Sequence, residues 1–184
     1  YQRDWNTKVN GGEITVAGTL KDNQMKFNSQ TKVIADGTTT DGTDKVTVAD
    51  ATSVTIITSI ATDYKDKYPK YRTGESAEAL DTRVGGYVDK AAAKDYDTLK
   101  ADHVKDYQNI FERVDLDLGQ IPSDKTTDAL LSAYKAGTAT EAERRYLEVM
   151  LFQYGRYLTI ESSRETPEDD PYRETLPSNL QGIW

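Results

Sequence analysis

The hydrophobic period of this chain changes once, and that change decides which folds are open to it. From Glu13 to about Asp63 apolar and polar residues alternate at period two among many Thr, Val and Ile, as in half-buried strands. From Leu80 onward apolar residues recur at spacings of three and four, as along helices. Strands therefore precede helices instead of interleaving with them. The class is α+β, and a doubly wound parallel sheet is excluded.

The strand region counts four strands: Glu13–Ala17, Met25–Ala35, Lys45–Ala49 and Ser53–Ala61. Asp36-Gly37 and Asp41-Gly42 are turn signals between them, so the expected sheet is an antiparallel meander. In the long second strand Met25, Phe27 and Val33 share a face. Such a sheet has one apolar face that needs a second layer, and nothing before Glu13 supplies it.

Tyr64 to Ser76 is polar, aromatic and broken by Pro69 and Gly74, which makes it a connector. Leu80, Val84, Tyr87, Val88 and Ala91 then mark a helix to about Lys94, weakened in its middle by Gly85-Gly86. Asp97 is placed to cap a second helix carrying Leu99, His103, Tyr107, Ile110, Phe111 and Val114. Asp115 to Gly119 alternates like a short strand, and Thr127 to Lys135 is a short helix closed by Gly137. Thr140 to Ser163 is a long helix with Tyr146, Leu147, Met150, Leu151, Tyr154 and Leu158 on one face, an apolar coverage too wide for a lone surface helix. The run Glu165 to Glu174 holds five acids and one arginine and suits a surface loop.

Composition narrows the function. A chain of 184 residues supports a hydrophobic core, and its net charge of −8 argues against partners held by phosphate neutralisation, so nucleic acid and anionic membranes drop out. No apolar stretch approaches the length of a membrane span. With no cysteine there are neither disulfides nor thiolate metal sites. Twelve tyrosines against three phenylalanines leave many rings with one wet end, a bias common on carbohydrate-handling surfaces.

Candidate chemistry is sparse. His103, the only histidine, lies beside Asp102 and Asp106, and its expected role is structural, with the ring packed and hydrogen-bonded. Asp115-x-Asp117-x-Gly119 opens like a calcium loop but lacks the third ligand and the closing Glu, so alternation at a strand explains it better. Glu168-Asp169-Asp170 pairs carboxylates in a proline-flanked loop that cannot hold them at a fixed separation. Gly85-Gly86 follows no strand and is not a phosphate cradle. No nucleophile triad, metal site or cofactor site emerges from the residues alone.

Leu151-Phe-Gln-Tyr-Gly-Arg-Tyr-Leu158, then Ser162-Ser-Arg164, then Leu176-Pro-Ser-Asn-Leu-Gln-Gly-Ile-Trp184 are motifs in an order that resembles glycoside hydrolase family 95. Upstream, Met25-Lys-Phe27, Lys32 to Gly37, Ala61 to Tyr64, Asp102 to Tyr107 and Phe111 to Gly119 resemble it too, so the likeness runs from about Gly12 to Trp184. The resemblance implies a bacterial, secreted or cell-surface, inverting α-L-fucosidase acting on α-1,2-linked fucose, some members taking α-L-galactosides. It implies an N-terminal β-sandwich, linking helices and an (α/α)6 barrel. Residues 1–64 would hold the last sandwich strands, 65–138 the linker, and 139–184 the start of the barrel. The family's general acid and water-positioning residues fall after Trp184, so no catalytic residue carries over. Asn179, Gln181 and Trp184 match the motif as substrate-contacting or loop-bracing residues. The acidic insertion Glu165 to Glu174 departs from the family's short link.

The reading is thus a fragment of a fucosidase whose partner is a fucosylated glycan, ending at a cut edge and inactive alone, with any export signal upstream. The competing reading is a self-standing glycan-binding or structural module. Strands without their covering sheet are expected to favour self-association.

Overall fold

The computed structural model describes residues 2–164 and Tyr172. The acidic run apart from Tyr172, and Asn179, Gln181 and Trp184, lie outside the described residues. The chain is an α+β mixture, with six strands followed by four helices among the described residues, and it divides into two compact units, residues 1–101 and 102–184.

In the first unit β1 (Arg3–Asn10), β2 (Glu13–Leu20), β3 (Lys26–Ala35) and β6 (Val54–Thr62) form one antiparallel sheet in the order β1-β2-β3-β6. Gly11 and Gly12, at φ 60° and 74°, make the two-residue turn between β1 and β2, a conformation that side chains with a Cβ resist. Here the structure corrects the expected meander. Lys45–Ala49 does not enter the sheet. Its core, β5 (Val46–Ala49), pairs only with β4 (Thr38–Asp41) in a separate ribbon, and β6 pairs directly with β3 from Ala35↔Val54 to Phe27↔Thr62. Four-residue strands rich in threonine bury too little apolar surface to displace β6 from that long ladder. The Asp36 carboxylate closes the base of the excursion by accepting from the backbone N–H groups of Thr52 and Ser53, at 2.9 and 3.0 Å.

The pairing register assigns the faces. One carries Trp5, Val16, Phe27, Val33, Ile56 and Ile60, so Phe27 and Val33 do share a side, and Met25 joins Phe27, Trp5 and Leu20 around one hollow. The other carries Ala17, Asn28, Gln30, Ser59 and Ala61, and it is this face that α1 (Ala77–Ala92) covers. The expected second layer therefore sits on the smaller, more polar side. Small side chains let the helix approach, and Leu80, Val84 and Val88 become the buried centre of the unit. The buried amides are satisfied: Asn28 Nδ2 donates to Asp81 Oδ1 at 2.8 Å and Gln30 Nε2 to the Asp81 carbonyl at 2.9 Å. Across the sheet Ile56 and Ile60 stay 65% and 71% exposed.

Below β6 the connector is held by ions. Asp63, 2% exposed, accepts from the Lys26 backbone N–H at 2.9 Å and pairs with Lys26 Nζ at 3.2 Å. Glu75 accepts from Arg83 Nε at 2.8 Å and from the Thr73 hydroxyl at 2.8 Å. Burial pushes the Glu75 carboxyl up, but hydrogen bonds from Arg83 and Thr73 outweigh it and hold the group below its ordinary value.

The remaining helices are α2 (Tyr96–Phe111), α3 (Thr127–Ala136) and α4 (Glu141–Ser162). Asp97 proves to lie inside α2, and Asp95 makes the cap, its Oδ1 accepting from the Thr98 N–H at 2.7 Å. Gly137, left-handed at φ 71°, closes α3 as expected. Thr140 and Glu143 form a reciprocal capping box at the start of α4. Asp115 to Gly119 is not a strand: Asp117 Oδ1 accepts from the Gly119 N–H at 2.7 Å, a local turn that replaces any ladder.

Candidate functional site

The motif segments that lie far apart in sequence meet where α2 and α4 pack. α4 begins with the Thr140 box and runs far enough to carry Gln153, Arg156 and Tyr157 past the end of α2. Arg156 donates from Nη2 to the Phe111 carbonyl and from Nη1 to the Val114 carbonyl, both at 2.7 Å, and its guanidinium lies 4.7 Å from the Phe111 ring centroid. The final carbonyls of a helix have no intrahelical donors, so one charged fork closes the end of α2. Gln153 Oε1 accepts from the same Nη1 at 2.7 Å and fixes the fork.

Beside it runs an aromatic ladder. Tyr107 lies 5.1 Å from Phe111 and 5.8 Å from Tyr157, and Tyr157 lies 6.2 Å from Tyr154. These spacings suit edge and offset contacts. Burial, then the nearby Glu161 charge, raises the Tyr107 phenol above its ordinary value. At the far end of α4, Arg164 grips Asp106 with both guanidinium nitrogens, Nη2 to Oδ1 at 3.0 Å, and this hydrogen bonding holds its proton more tightly still. A hollow of about 520 Å³ lies alongside, with Asp106, Asn109, Arg113 and Arg164 in its wall, and the Ser163 hydroxyl there is buried without a hydrogen-bond partner among the described residues.

The chemistry of this cluster is bracing and positioning. Its cations are committed to carbonyls and to Asp106. A general acid for glycoside cleavage needs a carboxyl raised toward neutrality, and every described carboxyl with a resolved shift, namely Asp36, Glu75, Glu78, Asp95, Asp128 and Glu143, moves down instead. Among the described residues no three His, Asp or Glu side chains converge as a metal site.

His103 departs from expectation. It is exposed, with its ring stacked 6.4 Å from Tyr107 instead of packed inside. It sits on the Leu99 to Tyr107 stripe, but no residue of α2 is buried, so the stripe offers no interior for the ring to pack into. Reasoning from single residues also missed Arg156, Arg164 and Asp106 as partners, although all three stand in the motifs quoted above. A second feature of α4 is open: Leu147, Met150, Leu151 and Tyr154 of its broad apolar face line a groove with Leu131 and Tyr134 of α3.

Comparison with known proteins bears on both units. Residues 95–184 match the Glycosyl hydrolase family 95 catalytic domain, and residues 1–67 match the Glycosyl hydrolase family 65 N-terminal domain. The chain is 43% identical over 96 residues to Probable alpha-fucosidase A of Aspergillus niger, covering 51% of this chain and 10% of that protein. It is 30% identical over 169 residues to Probable alpha-fucosidase A of Aspergillus oryzae, covering 91% of this chain and 19% of that protein. It is 39% identical over 90 residues to Alpha-L-fucosidase 2 of Arabidopsis thaliana, covering 48% of this chain and 10% of that protein. The chain thus spans between a tenth and a fifth of these relatives' lengths.

Proposed function

This chain is glycoside hydrolase family 95-like, and we propose that it supplies the end of a β-sandwich (1–64), a helical linker (65–138) and the first helix of an (α/α)6 barrel (139–184) to an inverting α-L-fucosidase. The observation that carries the reading is the α2 and α4 assembly, in which Arg156, Tyr157 and Arg164 of the C-terminal motifs engage Phe111, Tyr107 and Asp106 of the upstream ones.

Inversion requires a protonated carboxyl on one side of the sugar and a base-activated water on the other, the two carboxyl groups about 6.5–9.5 Å apart. In this reading those carboxyls come from helices outside the 184 residues. The braced α2 and α4 pair gives them a rigid wall. The same proposal assigns the motif residues Asn179, Gln181 and Trp184 to substrate contact or to bracing the loop. The substrate is a glycan ending in α-1,2-linked fucose. The enzyme works outside the cell or on its surface, where such glycans are met. A bacterial source belongs to the same proposal, while the named relatives are fungal and plant.

The test is linkage-resolved fucose release by the longer protein that contains this chain. Turnover of 2′-fucosyllactose well above that of 3-fucosyllactose and of α-L-galactosides supports the reading. Preference for either of the others would overturn the α-1,2 assignment.

A further inference from the structure

The connector between β6 and α1 has a loop that the fucosidase reading does not use. Tyr64 to Arg72 holds Lys65, Lys67, Lys70 and Arg72 against the single acid Asp66, in a chain whose net charge is −8. The loop is closed at its base by a Tyr64↔Arg72 bridge and inside by the Tyr71 N–H donating to the Lys67 carbonyl at 2.9 Å. Arg72 is the anchor: it donates to the Asn23 carbonyl at 2.9 Å and to the Tyr71 carbonyl at 2.8 Å, and its Nε lies 3.5 Å from the buried Asp63. Tyr71 sits at φ 51°, a backbone conformation that a bulky side chain adopts only when its surroundings impose it. The outcome is two rings turned outward. Tyr68 is 81% exposed and Tyr71 41%, their centroids 6.3 Å apart at 83°, with Lys67 and Lys70 exposed beside them.

We propose that this loop binds an acidic saccharide, a pyranose stacking on the Tyr68 and Tyr71 corner while Lys67 and Lys70 neutralise its carboxylate or sulfate. The C–H face of a sugar ring meets an aromatic face as an apolar surface, and two rings at right angles accept about one such ring. A protein partner would need roughly 800 Å² on each side, which two rings and two lysines do not offer. A nucleic acid would bring a long track of phosphates toward a strongly acidic chain, whereas an acidic sugar needs only local neutralisation.

The experiment is a titration of the 184-residue chain, observed through its tyrosine ring resonances, with trigalacturonate, a sulfated galactan oligosaccharide, lactose and oligothymidylate. Binding of the carboxylated probe, the sulfated probe or both, weakened by added salt, supports the site and names the acid group. Tyr68→Ala should weaken that binding about tenfold, as truncating one stacking contact does, while Tyr68→Phe preserves it and the melting temperature stays unchanged. The Lys67→Ala/Lys70→Ala pair should abolish the salt dependence. Failure of both acidic probes, equal binding of lactose or oligothymidylate, or binding that survives Tyr68→Ala would overturn it. Fucose release by the longer protein is read separately, so this site and the fucosidase reading can fail independently.

Discussion

An alanine Cβ at position 85 would come within 2.7 Å of Gln30 Oε1, whereas one at position 86 would meet nothing within 4 Å. Gln30 cannot swing aside cheaply, because its amide nitrogen is spent on Asp81. Gly85→Ala should therefore cost about 1–3 kcal/mol by overpacking, and Gly86→Ala should add about 0.5–1 kcal/mol by restoring helix propensity. Urea unfolding of the two variants checks the opposite signs. Glu75 and Arg83 give a second prediction. Their side chains are only 7% and 12% exposed, so Arg83→Ala should cost about 3 kcal/mol by stranding a buried carboxylate. The Glu75 carboxyl is held below its ordinary value of 4.5, so its contribution is complete above that pH and is lost as the pH falls through the lower folded value. Glu75→Gln should accordingly be less stable near neutrality and lose less stability on acidification, measured by thermal unfolding across the acid range.

At the level of elements, Arg156 closes α2 and Thr140 opens α4. Arg156→Ala should cost about 2–3 kcal/mol through two charged hydrogen bonds to carbonyls and speed amide exchange near Phe111, while Arg156→Lys, lacking the fork, should rescue little. Thr140→Ala should cost about 1 kcal/mol by opening the capping box. The elements legible in sequence are those whose signal is local. α1, α3 and α4 carry an apolar stripe, and α3 also carries its Gly137 stop. β3 keeps Phe27 and Val33 in phase, and β6 is a nine-residue run rich in Thr, Val and Ile. β1 was illegible because Trp5 and Val9 are its only large apolar residues and its pairing comes from the Gly11-Gly12 turn, not from its own pattern. The ribbon of β4 and β5 was misplaced because alternation fixes a strand's faces but not its neighbour. The α2 and α4 brace could be read only as motif resemblance, since the partners lie 45 residues apart for Arg156 and Phe111 and 58 for Arg164 and Asp106.

For the molecule as a whole, the sheet face bearing Trp5, Ile56 and Ile60 is open within its own unit. A second copy of the chain is the expected cover in solution, so sedimentation velocity should show concentration-dependent association that Ile60→Lys suppresses; a tight monomer at every concentration would refute it. The central proposal is that these residues frame a sugar-cleaving site whose acid and base lie outside them. Proton NMR of 2′-fucosyllactose hydrolysis, run with the 184-residue chain and with the longer protein that contains it, tests this most directly. The account predicts β-L-fucose as the first product of the longer protein and no fucose from the chain; fucose from the chain alone, or the α-anomer appearing first, would contradict it.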